Sequence, residues 1–198
     1  MPMTRFAKTA MVACLALFAA LVTCNNLLDY GANFAFVQHV LRMDTVFPGS
    51  PLRWRAIDLP LLWHLAYALI ILGEGVTAVL LARGAWALWR ARRRSARVFN
   101  QAKQWALAGV LAGFCVWFLG FMVVGAEWFL MWQSSQWNGQ ESAFRFCITL
   151  LAVAIFVNQP DTGLAQRTHG LEGEQLQVAR AGADQPDFSG GCHHVQLS

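Results

Sequence analysis

Four apolar runs, each close to the length needed to cross a bilayer, constrain this chain more than any other feature of its sequence. They extend from Thr9 to Leu28, Leu59 to Ala82, Trp105 to Trp132 and Ser142 to Val157. A hydrocarbon layer of about 30 Å takes about 20 helical residues to cross. A helix satisfies its backbone hydrogen bonds within one segment, whereas the strands of a membrane barrel run to about 10 residues and alternate in polarity. These runs do not alternate. The sequence therefore predicts an all-α membrane protein, a four-transmembrane-helix bundle with spans at 9–28, 59–82, 105–127 and 142–158.

Composition points to the same solvent. Hydrophobic residues make up 57% of the 198 positions and charged residues 13%, too few polar groups to cover a soluble core of this size. The nine tryptophans suit the membrane–water boundary, where the ring meets both apolar and polar surroundings. Trp128, Trp132 and Trp137 mark one boundary; Trp86, Trp89 and Trp105 mark the other.

Seven of the fifteen basic residues lie between Arg83 and Lys103 (Arg83, Arg90, Arg92, Arg93, Arg94, Arg97 and Lys103). Lying between two apolar runs, the cluster reads as a topology signal rather than a nucleic-acid patch. With Arg5 and Lys8 ahead of the first run, it puts both termini and this loop on the cytoplasmic side of a bacterial inner membrane. The other two loops then face outward. The rival reading of the first run is a cleaved signal peptide, with Leu21-Val22-Thr23-Cys24 near a lipoprotein cleavage box. The apolar run continues to Leu28 and reaches span length, which favours a retained helix.

The first outer loop, Asp29 to Asp58, carries Phe34, Val37, Val40 and Leu41 at helical spacing. This predicts a short amphipathic helix over 31–43, lying on the surface or capping the bundle. Residues 1–160 form the membrane domain. The tail, 161–198, is rich in Gly, Gln and Asp and is expected to be disordered in the cytoplasm. Of the five cysteines, none forms a C-x-x-C pair and no disulfide framework is legible; they read as small hydrophobes, with a Cys24–Cys147 bridge near the outer face as the less favoured alternative. Cys192, His193 and His194 at the tail end make no preformed metal site. A haem held across helices commonly needs two axial ligands, and among the histidines only His64 lies in a span. No cofactor or metal is implied.

Glu74, between Gly73 and Gly75 in mid-span, is the residue most in need of explanation. A carboxylate at that depth costs about 2.5–3.5 kcal/mol on insertion scales and is expected to face the bundle. His64, Tyr67 and Glu74 fall broadly on one side of the helix. Two readings fit: a proton path or polar ligand pocket, and a polar clasp between helices. A second candidate set lies at the outer face: Asn26, Asp29, His39, Arg42, Asp44, Glu127, Trp128 and Arg145. Glu127 and Arg145 fall near the same boundary, where two readings fit: boundary charges wetted by headgroups, which is favoured, and an ion pair for which Glu141 competes with Glu127. Gly109 and Gly113, extended by Gly120, form a small-xxx-small face that reads as packing within the bundle, with a dimer seam as the rival.

With these residues in view, the chain resembles a bacterial family of predicted small integral membrane proteins of unknown function. The resemblance is carried by the string from Asn26 to Asp44, Trp54-Arg55-Ala56-Ile57 and Gly73-Glu74. It continues through the string from Gly125 to Ser134, Trp137-Asn138-Gly139-Gln140 and Phe144-Arg145, and spans roughly Thr4 to Asp161. It implies no reaction, substrate or cofactor. It does concentrate the matched strings at the outer face, which suits a protein partner or a ligand arriving from outside. Three classes of function follow. The first is a small accessory or interaction subunit of a membrane complex, partnered by lipid and by another protein or its own copies. The second is a small transporter or proton-coupled permeation protein centred on Glu74. The third is a membrane enzyme using Glu127, His39 or Asp44, for which no spacing argues.

Overall fold

The computed structural model describes residues 3–161. They form helices joined by short connections, four of them long and apolar enough to cross a membrane. Helix α1 spans Met3–Leu28, α2 Tyr30–Arg42, α3 Pro60–Ala91, α4 Ala96–Ala102, α5 Gln104–Phe114 and α6 Gln140–Asn158. A wide-turn π-helix, Cys115–Trp128, prolongs α5, and single 3₁₀ turns occupy Arg53–Arg55 and Met131–Gln133. The expected tail, with Cys192, His193 and His194, lies outside the described residues except for Asp161.

The faces are set by helical period. On α1 the buried positions are Arg5, Lys8, Thr9, Val12, Leu15, Ala16 and Ala19, a stripe stepping by three and four, and further along Asn26. On α3 the stripe is Trp63, Tyr67, Ile71, Glu74, Thr77, Ala78, Leu81, Gly84 and Leu88. The opposite face of α3, including Leu61, Leu65, Leu69, Leu72 and Val79, is exposed and apolar, as lipid requires. Without a hydrophobic drive between helices in lipid, close approach is what holds them together. Glycines let α3 and α5 approach closely. A Cβ at Gly84 would lie 2.6 Å from the Ala106 backbone nitrogen, and one at Gly109 would lie 2.7 Å from Leu81 Cγ. At Gly113 a Cβ would meet Leu150 of α6 at 2.9 Å and Thr77 of α3 at 3.1 Å. Gly109 and Gly113 are thus used inside the bundle, as the packing reading expects, whereas at Gly120 a Cβ would meet only the Cys115 carbonyl of its own segment, at 3.9 Å.

Two apolar cores stack along the bundle. One joins α1, α3, α5 and α6 around Val12, Leu81, Leu88, Phe99, Trp117 and Leu150. The other lies beneath α2, where Val37, Val40 and Leu41 pack on Trp63, Tyr67, Ile71 and residues 129–131. Of the two placements foreseen for α2, it takes the capping one. Buried Met43 and Leu130 hold left-handed conformations, φ 50° and 57°, which branched or bulky side chains adopt only when packing enforces it.

Helix boundaries depart from the apolar runs at the other end of the bundle. Arg5 and Lys8 lie within α1, Arg83 and Arg90 within α3, and Arg97 on α4; only Arg92–Arg94 fall in the α3–α4 connection. A helix need not stop where hydrocarbon stops, because long basic side chains cover apolar surface with their stems. Arg83 lies over the Trp105 ring, 4.0 Å from its centre.

Candidate functional site

At the capped end, α1 and α3 present two polar side chains to each other across the core. Asn26 Nδ2 donates to Glu74 Oε2 at 2.7 Å, and the Asn26 carbonyl Oδ1 accepts from Asn33 Nδ2 of α2 at 2.6 Å. The Tyr67 hydroxyl donates to the Asn26 backbone carbonyl at 3.3 Å. A chain of hydrogen bonds therefore leads from exposed Asn33 through buried Asn26 to Glu74, which is 3% exposed. Each link polarises the next in so apolar a setting. Only one carboxylate oxygen is used: among the described residues no side chain donates to Glu74 Oε1.

Glu74 borders a chamber of about 200 Å³ lined by Asn26, Asn33, Phe36, Tyr67, Trp117 and Phe146, with Ser142 and Gly139 at the start of α6. A Cβ at Gly139 would meet the Phe36 ring at 3.0 Å, so glycine lets α2 close down here. A neighbouring apolar cavity of about 240 Å³ shares Phe36, Val37, Ile70 and Phe121 with the chamber. The loosely wound π segment contributes Phe121 to both.

The three residues expected to share a face divide. Tyr67 and Glu74 join the chamber. His64 is exposed; its Nδ1 lies 2.8 Å from the Tyr30 hydroxyl and its ring stacks on Phe34 at 4.3 Å between centres. A period of 3.6 separates positions three apart by about 60°, enough to turn His64 away. Asn26, placed by sequence with the outer-face set, is instead the direct partner of Glu74.

The remaining outer-face candidates form two separate groups. His39 Nδ1 meets Asp44 Oδ2 at 2.8 Å, while Arg42 reaches Asp58 at 3.2 Å and Asp44 at 3.9 Å. The His39 ring also stacks on Trp137, 4.6 Å between centres. These contacts pin the end of α2 to the connections around it. Asp29 is exposed before α2 and makes no side-chain capping bond. The Glu127–Arg145 pair, the less favoured of the two readings, does not form. Arg145 pairs with Glu141, one helical turn away on α6, and Glu127 is exposed at the end of the π segment. A partner on the same helix is held in reach by the backbone, whereas Glu127 would need two elements to converge. Cys24 is an exposed free thiol and Cys147 a buried one, so that bridge is absent as well.

Trp128 belongs to a second arrangement. The Arg55 guanidinium lies 4.4 Å from the centre of the Trp128 ring and 5.6 Å from that of Trp54, and its NH1 donates to the Trp128 carbonyl at 3.3 Å. The two indoles meet edge to face at 6.3 Å. Trp54 is 72% exposed and Trp128 is exposed beside it.

A polar group that sequence reading treated only as a topology signal lies at the basic end. Arg5 Nε donates to Asp161 Oδ2 at 2.7 Å and its NH2 to Oδ1 at 3.1 Å; NH1 donates to the Arg94 carbonyl at 2.7 Å. Lys8 and Lys103 both donate to the Gln159 carbonyl at 2.6 Å, just past α6, and Lys103 also to Asn100 Oδ1 at 2.7 Å. The hydrogen bond from Arg5, more than the burial that opposes it, holds the Asp161 carboxyl below the usual carboxylate range, and the charges of Arg5, Lys8 and Lys103 add to the effect. The signal was present: Arg5 and Lys8 continue the buried stripe of α1.

Residues 4–160 match the model of a family described as "Predicted small integral membrane protein (DUF2165)". No curated protein and no solved structure matches the chain.

Proposed function

The chain belongs to this family of small integral membrane proteins, and on that premise we propose that it serves as a small accessory or interaction subunit of a membrane complex. The observation that carries this reading is the Trp54–Arg55–Trp128 cluster, two exposed indoles against a half-buried guanidinium. A tryptophan belt accounts for single rings at a boundary. A guanidinium packed against a pair of exposed indoles set edge to face is a preorganised anchor of the kind that dominates protein interfaces, where Trp and Arg are enriched. A partner presenting a carboxylate among apolar side chains matches it. We read the membrane as the bacterial inner membrane, with the basic end in the cytoplasm and the cluster outside. The concentration of Arg and Lys around residues 83–103 supports that orientation.

The test is native electrophoresis of membranes dissolved in mild detergent. The wild-type chain is expected in a species larger than one protomer, and the Arg55→Ala/Trp128→Ala variant at the size of a lone chain with unchanged helicity. A lone wild-type protomer in every detergent would end the reading. In the same cells, a membrane-impermeant maleimide is expected to label Asn138→Cys but not Ser95→Cys on a background without native cysteines. The reverse pattern would invert the orientation.

The permeation reading centred on Glu74 has one specific support, the chamber beside that carboxylate. A path through one protomer would then have to pass Leu81, Leu88 and Phe99, each 0% exposed. Conduction would need a second copy or a large rearrangement, so the accessory role is preferred.

A further inference from the structure

The chamber beside Glu74 has a chemistry that the accessory role leaves unused. Its lining holds a carboxylate but no Arg, Lys or His. Asn26 occupies Oε2, and the carbonyl of Asn26 is itself taken by Asn33. Glu74 lines the chamber, and its Oε1, which no side chain among the described residues serves, is left as an acceptor of hydrogen bonds and positive charge. A lone carboxylate in so apolar a place is costly unless a counter-charge meets it. An anion would be repelled. The walls are aromatic: Phe36, Tyr67, Trp117, Phe121 and Phe146. Aromatic rings around a carboxylate are the combination that holds ammonium ions, through the negative faces of the rings and the charge beside them. The adjoining apolar cavity, with Val40, Leu41 and Met131 in its lining, extends the site with room for an apolar body.

We propose that this chamber binds an organic ammonium group at Glu74 Oε1, with the apolar part of the same molecule in the adjoining cavity. The ligand class is an amphipathic monovalent cation. A free lipophilic amine and an ammonium-headed lipid both carry that chemistry. The site does not depend on the accessory-subunit reading, since its residues are distinct from Trp54, Arg55 and Trp128.

The probe is benzyltrimethylammonium, and the measurement is equilibrium dialysis against the full-length chain in nonionic detergent. Saturable binding near one equivalent is expected, unaffected by the uncharged isostere neopentylbenzene. Glu74→Gln, which keeps an oxygen for Asn26, is expected to weaken binding at least tenfold. Should that variant not stay monodisperse, Phe146→Leu trims the aromatic wall and is expected to weaken binding several-fold. Displacement by phosphatidylethanolamine but not phosphatidylglycerol identifies a lipid headgroup as the source; displacement by neither identifies a free amine. Absence of saturable wild-type binding overturns the proposal. So does equal competition by neopentylbenzene, or undiminished binding by a folded Glu74→Gln protein or, in its place, by Phe146→Leu.

Discussion

At the scale of single residues, Asn26 is the side chain on which the candidate site turns. It gives Glu74 its donor and Asn33 its acceptor. Asn26→Leu removes both bonds and leaves a buried carboxylate oxygen unserved, a loss of about 1–3 kcal/mol or more where the group is charged. Glu74→Gln keeps an acceptor for Asn26 and is expected to change stability by less than about 1 kcal/mol. Thermal unfolding of purified protein in detergent checks both. An Asn26→Leu protein as stable as wild type would mean that the clasp holds nothing together. Sequence reading isolated Glu74 from its depth alone, but not its partner. Asn26 stands 48 positions away, at the end of a different helix, and only helix packing brings the two together. His64 shows the opposite error. Sharing a helix with Glu74 suggested a shared site, yet its ring turns to Tyr30 and Phe34.

Among elements, the α3–α5 crossing sets how closely the bundle packs. Gly84→Ala places a methyl against backbone rather than against a movable side chain, so the helices must separate. A loss of about 1–3 kcal/mol is expected, the usual cost of overpacking. Gly31→Ala on α2 meets nothing within 4 Å and is expected to raise stability by up to about 1 kcal/mol through helix propensity. Denaturation of the two variants side by side checks the contrast, and equal effects would show that the crossing tolerates expansion. The small-xxx-small spacing of Gly109 and Gly113 was readable, because glycine in an apolar helix signals close approach. Its partner helix was not, and Gly84, the facing glycine on α3, carries no such spacing. The capping helix was readable because Val37, Val40 and Leu41 repeat at the helical period and end up buried. The widened turn from Cys115 to Trp128 was not, since an apolar run reads alike in either winding.

For the molecule as a whole, the basic end works as a clasp. Arg5, Lys8 and Lys103 draw together the start of α1, the α4–α5 junction and the chain leaving α6. Because Arg5 holds Asp161 below the usual carboxylate range, their pairing contributes fully at and above that range. It is lost as pH falls through the depressed folded-state value. The wild-type melting temperature is therefore expected to be flat near neutrality and to fall on acidification. Asp161→Asn should start lower and converge with wild type at acid pH; a gap constant with pH would exclude the clasp. Hydrophobic run length by itself determined that this is a bundle of four apolar helices, because a chain in hydrocarbon must satisfy its backbone within each span, and the spacing of Phe34, Val37, Val40 and Leu41 added a short helix after the first. The depth of Glu74 in its span also determined that this carboxylate faces the bundle. Tertiary structure alone decided which inward groups meet: Asn26 with Glu74, Arg5 with Asp161, Arg55 with Trp54 and Trp128. Period fixes a side chain's direction around its own helix. Its partner depends on the rotation, shift and crossing of a second helix, which are set by close packing between distant parts of the chain.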